Sequence, residues 1–264
     1  MTNAIFITVR TTSTRLPNKA LLNFQGLPTI EYVIQRMKYS KKANKIILCT
    51  TQKKDDDILI EIAKRNNINY FRGSENDKLI RWKDAAIQYS IDFFVTEDGD
   101  DLFCEPKLLD MAFDQYKRNN SDFIQSKNII CGAFTYGIKV DALKKVCEIK
   151  DTDETEMMWV YFTDTGLFRV EELENVPDKF YRDDIRMTLD YQEDYDFFNA
   201  IVKKSGHTNS YLTLDKIVTI LEKYPKLKEI NYFRHKEWAD NQDKKTNLKL
   251  KGGIKNAKRN KKSK

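Results

Sequence analysis

Histidine is almost missing from this chain: His207 and His235 are the two in 264 residues. A Ser-His-Asp or Cys-His relay needs an imidazole beside its nucleophile, so neither is well supported. Cysteine is equally thin. Cys49, Cys104, Cys131 and Cys147 lie far apart with no C-x-x-C pair, which argues against a zinc cluster or a disulfide framework. They read as small buried hydrophobes in a reducing compartment. Nine glycines and 33% charged residues are the balance of neither a fibrous nor a disordered chain. No run approaches the roughly 20 apolar residues that span a bilayer. No signal-peptide pattern precedes the first apolar segment, so the expected location is the cytoplasm. A P-loop is absent too, since no G-x-x-x-x-G-K-[ST] occurs.

What is present is charge, unevenly placed. Residues 244–264 hold ten Lys/Arg and no Asp/Glu, so residues 1–243 carry a formal −4 against +6 for the whole chain. The globular part is mildly acidic, and the basicity belongs to a tail. Such a tail suits nucleic acid or anionic lipid, or is simply solvated and flexible, which is the commoner case. The length fits one large α/β domain. We expect a single domain over 1–240, with a basic tail over 241–264.

Strands and helices alternate along the chain. Apolar or β-branched runs predict strands at Ile5–Val9, Lys45–Cys49, Ile68–Phe71 and Asp92–Thr96. Apolar residues at helical spacing predict helices over Thr29–Lys38 (with Thr29 as its cap), Asp55–Arg65, Asp77–Tyr89 and Leu108–Tyr116. Further strands are expected at Asp122–Gln125, Cys131–Lys139, Leu167–Leu173 and just before Asp190. Further helices are expected over Val140–Cys147, from about Asp153 to Phe162, after Asp190 and over Leu212–Tyr224. This order predicts a doubly wound, mainly parallel sheet, in which ligands bind outside the carboxyl ends of the strands.

The loops at those ends carry the chemistry. Arg10-Thr11-Thr12-Ser13-Thr14-Arg15-Leu16-Pro17-Asn18-Lys19 follows the first strand. Its hydroxyls and backbone N–H groups suit phosphate oxygens, and its cations supply charge. Thr50, Arg72 and Ser74 lie at the ends of the next two strands and are expected to join the loop in binding the nucleotide. Glu97-Asp98-Gly99-Asp100-Asp101 ends the fourth. Four carboxylates so close repel one another unless a cation neutralises them, and oxygen-only ligands suit Mg²⁺. A solvated acidic turn is the ordinary alternative. Asp190 follows a third alternating segment and could complete the same metal site. Glu193 and Asp194, in the first turn of a helix, could instead be ordinary dipole partners.

Three of these islands carry a family resemblance. Arg10-x-x-Ser13-Thr14-Arg15-Leu16-Pro17-x-Lys19 resembles, at seven positions, the opening signature of the cytidylyltransferases that make CMP-activated sugars. These include the 3-deoxy-manno-octulosonate and acylneuraminate enzymes; the spore-coat polysaccharide cytidylyltransferase-like proteins match more closely. Gly99-Asp100, with Glu105-Pro106 beyond it, is similar to the family's Gly-Asp-x-Pro segment, although Leu102 stands where proline is frequent. Arg186-x-Thr188-x-Asp190-x-x-x-Asp194 is similar to its late motif. The likeness covers residues 4 to about 231.

The resemblance implies a Rossmann-like nucleotidyltransferase fold and transfer of CMP from CTP to a sugar acid or related acceptor. Pyrophosphate would be released, for surface polysaccharide or glycan synthesis. It implies that Asp100 and Asp190 hold the metal, with Asp194 a structural partner. Arg10, Ser13, Thr14, Arg15 and Lys19 would grip the triphosphate. Arg186 would orient Asp190 or contact the acceptor, with Tyr136 and Glu156 also on the acceptor side. A subregion over about 128–180 would serve acceptor binding and homodimer contact. Thr155-Glu156-Met157-Met158 departs from the Arg-Glu-His-Val of the spore-coat type. A phosphorylated or phosphonate acceptor therefore stays open beside the sugar acid. Two other classes compete: a nucleotide-sugar glycosyltransferase, and a nucleic-acid-binding protein resting on the tail alone.

Overall fold

The computed structural model describes residues 1–206 and 211–252. Among the described residues the strands are β1 (Asn3–Thr8), β2 (Asn23–Phe24), β3 (Leu27–Pro28), β4 (Lys45–Thr51), β5 (Asn69–Gly73), β6 (Phe93–Asp98), β7 (Phe123–Gln125), β8 (Gly137–Lys139) and β9 (Val170–Glu172). Its helices are α1 (Thr29–Met37), α2 (Asp57–Arg65), α3 (Lys78–Gln88), α4 (Pro106–Asn119), α5 (Val140–Ile149), α6 (Val160–Thr163), α7 (Gln192–Ser205), α8 (Leu214–Lys223) and α9 (His235–Lys245). Seven strands form one sheet in the order β5-β4-β1-β6-β8-β7-β9, and β2 pairs with β3 in a small hairpin.

The expected mainly parallel sheet is there. β5, β4, β1 and β6 run parallel, and β8 alone is inserted antiparallel between β6 and β7. Parallel strands are covered on both faces, and two apolar clusters do this. Ile5, Ile7 and Val95 face the cluster that includes α1, α4, α7 and α8. Ala4, Phe6 and Phe94 face the other, with α3, α5 and α6. Because β1 has neighbours on both sides, the loop leaving its carboxyl end lies at the centre of the sheet edge.

Five sequence expectations fail locally. The strand predicted over Cys131–Lys139 is reduced to β8. Cys131 makes only an isolated bridge to Arg186, so the alternation before Asp190 reflects one extended contact rather than a ladder. Gly132 explains the interruption: its φ is +84°, and a Cβ there would stand 2.1 Å from the Met187 carbonyl oxygen. The helix expected from Asp153 to Phe162 is only α6, since Thr155 leaves the helical path to bond α3, donating to Asp77 and accepting from the Leu79 N–H. Only Val170–Glu172 of the Leu167–Leu173 run pairs as a strand. Thr29 does not cap α1; its hydroxyl donates to the Lys19 carbonyl and fixes the end of the basic loop.

The C-terminal segment also departs from the expected free tail. Residues up to Lys245 belong to α9, and the chain then returns along the body. Leu250 bridges Lys150, the Asp151 N–H donates to the Lys249 carbonyl, and Leu248 and Leu250 pack against the second cluster. Residues 253–264 lie outside the described residues, as does His207.

Candidate active site

The basic loop is held from below by one carboxylate. Asp56 is 1% exposed and accepts from the Thr11 N–H (2.8 Å), the Thr11 hydroxyl (2.7 Å), the Thr50 hydroxyl (2.9 Å), and the N–H (3.2 Å) and hydroxyl of Thr51. Burial alone would raise this carboxyl, but bonds from Thr51, Thr11 and Thr50 hold it below the usual range. Leu16 is buried and anchors the far half of the loop. The loop's polar residues are thereby turned into a cleft of about 1280 Å³ at the carboxyl ends of β1 and β6.

The acidic turn reaches the same cleft through Gly99. Its N–H donates to the Thr8 carbonyl at 2.9 Å, and a Cβ there would lie 2.9 Å from Val9 Cβ. That close approach brings Asp100 beside the basic loop. Asp190 arrives by another route. The Leu189 N–H donates to the Asp100 carbonyl (2.8 Å) and the Met187 N–H to the Cys131 carbonyl (2.8 Å), so Asp190 hangs next to Asp100.

The two carboxylates converge on one cation. The Lys19 ammonium donates to Asp100 Oδ2 and, at 2.8 Å, to Asp190 Oδ1. Arg15 reaches the same Asp190 oxygen at 2.5 Å. Burial would raise the Asp190 carboxyl, but Lys19, Arg15 and Arg186 bring it down to about 2. Asp100 and Asp101 go the other way. Burial pushes both up, and their mutual repulsion within the acidic turn adds to it for Asp101.

Behind Asp190 stands a buried lattice. Arg186 is fully buried and donates to Asp194 through Nε (3.0 Å) and to Asp190 through Nη2 (3.3 Å). Asp194, in the first turn of α7, accepts from the backbone N–H groups of Asp190 and Tyr191, and from the Asn231 amide. The Arg186 guanidinium lies 5.0 Å from the centre of the Trp238 ring on α9.

The cleft therefore gathers Arg10, Ser13, Thr14, Arg15, Lys19, Asp100, Tyr136, Glu156 and Asp190 from the expected set. Tyr136 stacks on Phe123 and lies beside Trp159. Glu156 stands 3.6 Å from Arg10 and 3.4 Å from Lys245. Four expected residues are not brought to the cleft wall. Thr50 is buried on Asp56; Arg72 donates to Asp57 and to the Thr51 and Lys53 carbonyls; Ser74 accepts from the Asp77 N–H. Arg186 lies under Asp190 rather than in the cavity. Sequence reasoning missed Asp56, whose spacing says only helix start. It also missed the wall made by Trp238, Gln242 and Lys245.

Known proteins bear on this arrangement. The sequence model described as cytidylyltransferase matches residues 4–239, most of the chain and all of the carboxylate and loop motifs. The chain belongs to the cytidylyltransferase family. The uncharacterized protein MJ1063 of Methanocaldococcus jannaschii is 34% identical over 227 residues, 85% of this chain and 92% of that protein. The spore coat polysaccharide biosynthesis protein SpsF of Bacillus subtilis is 26% identical over 233 residues, covering 85% and 96%. The structure of a cytidylyltransferase from Leptospira borgpetersenii serovar Hardjo-bovis superposes with a TM-score of 0.78 at 28% identity, covering 86% and 96%. This cytidylyltransferase is thus a nucleotidyltransferase with the mainly parallel sheet of its relatives. Among its described residues no helix is long and apolar enough to cross a membrane.

Proposed function

We propose that this cytidylyltransferase transfers CMP from CTP to an oxygen of a sugar acid or related acceptor, releasing pyrophosphate, in the synthesis of a surface glycan. The observation that carries the reading is the convergence of Asp100 and Asp190 on one cationic group at the rim of the 10–19 loop. The likeness to SpsF, a spore coat polysaccharide protein, supports the biosynthetic context.

In this reading Arg10, Arg15 and Lys19 bind the β- and γ-phosphates, with Ser13 and Thr14 donating hydrogen bonds. The acceptor oxygen attacks the α-phosphorus, and the bond from that phosphorus to the bridging oxygen of the leaving pyrophosphate breaks. Charge then grows on the pyrophosphate, where the loop cations oppose it. The acceptor lies between Tyr136, Glu156 and the α9 wall. Arg186 and Asp194 keep Asp190 aimed at the cleft.

The donor set fits Mg²⁺. Among the described residues no three His, Cys, Asp or Glu side chains are arranged to hold a metal by themselves. Two carboxylates are what Mg²⁺ takes from a protein when phosphate oxygens and water complete its shell. Bound there, Mg²⁺ would neutralise charge on the α-phosphate.

A screen of CTP with sugar acids and with phosphorylated or phosphonate alcohols and sugars tests this, reading pyrophosphate release and product mass. A CMP-linked product from a sugar acid is expected. A CDP-type product would move the acceptor to the phosphorylated class. Asp100→Asn should abolish release while leaving the circular dichroism unchanged; an active Asn variant would remove the metal assignment.

A further inference from the structure

We propose that Lys19 is a resident counter-ion of the metal site, and that a divalent cation enters only as Lys19 leaves for the phosphates. This rests on the reading of Asp100 and Asp190 as metal-binding residues. Three observations carry it. The Lys19 ammonium occupies the space between the two carboxylates, where a shared cation would sit. Asp190 has Arg15 and Arg186 besides, but Lys19 is the single cation in ion-pair contact with Asp100 among the described residues. The Lys19 backbone is fixed, its carbonyl accepting from Thr29, so the flexible four-carbon stem is the part that can move.

An ammonium and a divalent ion cannot share that space, because their repulsion at contact distance is large even at an effective dielectric constant of about 20. Removal of Lys19 without a substitute leaves Asp100 and Asp190 facing each other with two negative charges. The triphosphate resolves both problems at once. It gives the ammonium new oxygens within reach of the same loop, and it brings the cation that replaces the ammonium. Nucleotide-free protein therefore binds divalent ions poorly, and metal and nucleotide bind as a pair.

Titration of Mn²⁺, read as free-ion electron paramagnetic resonance and as water-proton relaxation, tests this without turnover. Nucleotide-free Lys19→Met should bind Mn²⁺ at least tenfold more tightly than wild type. Lys19→Arg, which keeps the charge, should bind as weakly as wild type. The gain should vanish in a Lys19→Met, Asp100→Asn double variant. Lys19→Gln, which keeps hydrogen bonds to both carboxylates, carries the test if the Met variant does not fold. Suppose the neutral variants bind Mn²⁺ no better than wild type, while wild type with CTP holds Mn²⁺ in an Asp100-dependent way. The exchange is then wrong and the metal site stands. If no state shows Mn²⁺ binding sensitive to Asp100→Asn, the metal reading itself falls and the exchange with it.

Discussion

Asp56 makes no contact with substrate in this account, yet its removal should disable the site. Its carboxylate gathers two backbone N–H groups and three hydroxyls, tying Thr11 of the basic loop to the end of β4. In Asp56→Ala the hydroxyls can turn to other acceptors, but the Thr11 and Thr51 N–H groups cannot. Each buried donor left without a partner costs about 1–3 kcal/mol, so the variant, which orphans two, should lose about 2–6 kcal/mol. Urea unfolding at neutral pH measures this directly. The pH dependence gives a second signature. The folded carboxyl lies below its unfolded value, so the stabilisation is complete above about pH 4 and is lost as pH falls through the depressed folded value. Asp56→Ala should accordingly show a shallower loss of stability on the acid side. CTP affinity should fall with it, because the loop loses its anchor. A variant within about 0.5 kcal/mol of wild type, the usual range for a surface change, would refute the anchoring argument.

Three further outcomes follow from the same geometry. Arg186→Met leaves Asp190 and Asp194 buried without their shared cation, and denaturant unfolding should show a loss of about 3–5 kcal/mol. Gly132→Ala places a Cβ against the Met187 carbonyl at a positive φ, so the segment carrying Asp190 must shift. A displacement of this kind costs about a hundredfold in turnover, and kcat should fall more than CTP binding. Removal of residues 246–264 exposes the faces covered by half-buried Leu248 and Leu250, at about 1 kcal/mol each; an unchanged thermal midpoint would contradict the docked segment.

Much of this was readable before the structure because the informative stretches are short and local. β1, β4 and β6 announce themselves by apolar runs, β5 by the short Ile68–Phe71 stretch with its Tyr70-Phe71 pair, and α1 to α4 by their spacing. Arg10–Lys19, Gly99-Asp100 and Arg186–Asp194 each carry their meaning within ten residues. What escaped depends on contacts distant in sequence. The Asp153–Phe162 segment, polar in its first half and apolar in its second behind a capping aspartate, reads as a helix, but Thr155 is claimed by Asp77 and Leu79 of the α3 region. Arg186 looked able to reach an acceptor; only the fold shows it enclosed by Asp190, Asp194 and Trp238. The C-terminal segment was judged by its lysines, and the quieter signal, Leu248 and Leu250 in alternation, is the one that docks it. Thr50, Arg72 and Ser74 lie at the expected strand ends, but their polar groups are turned into the frame beneath the loop.

The most direct test of the central claim is a thermal-shift titration with CTP, UTP, ATP and GTP, each with and without Mg²⁺. A ligand that binds only the folded state adds about 2.7 kcal/mol at a hundredfold excess over Kd. The account predicts a CTP-selective, Mg²⁺-dependent rise that Asp190→Asn removes. A rise with another nucleotide in place of CTP, or none with any of the four, would contradict it.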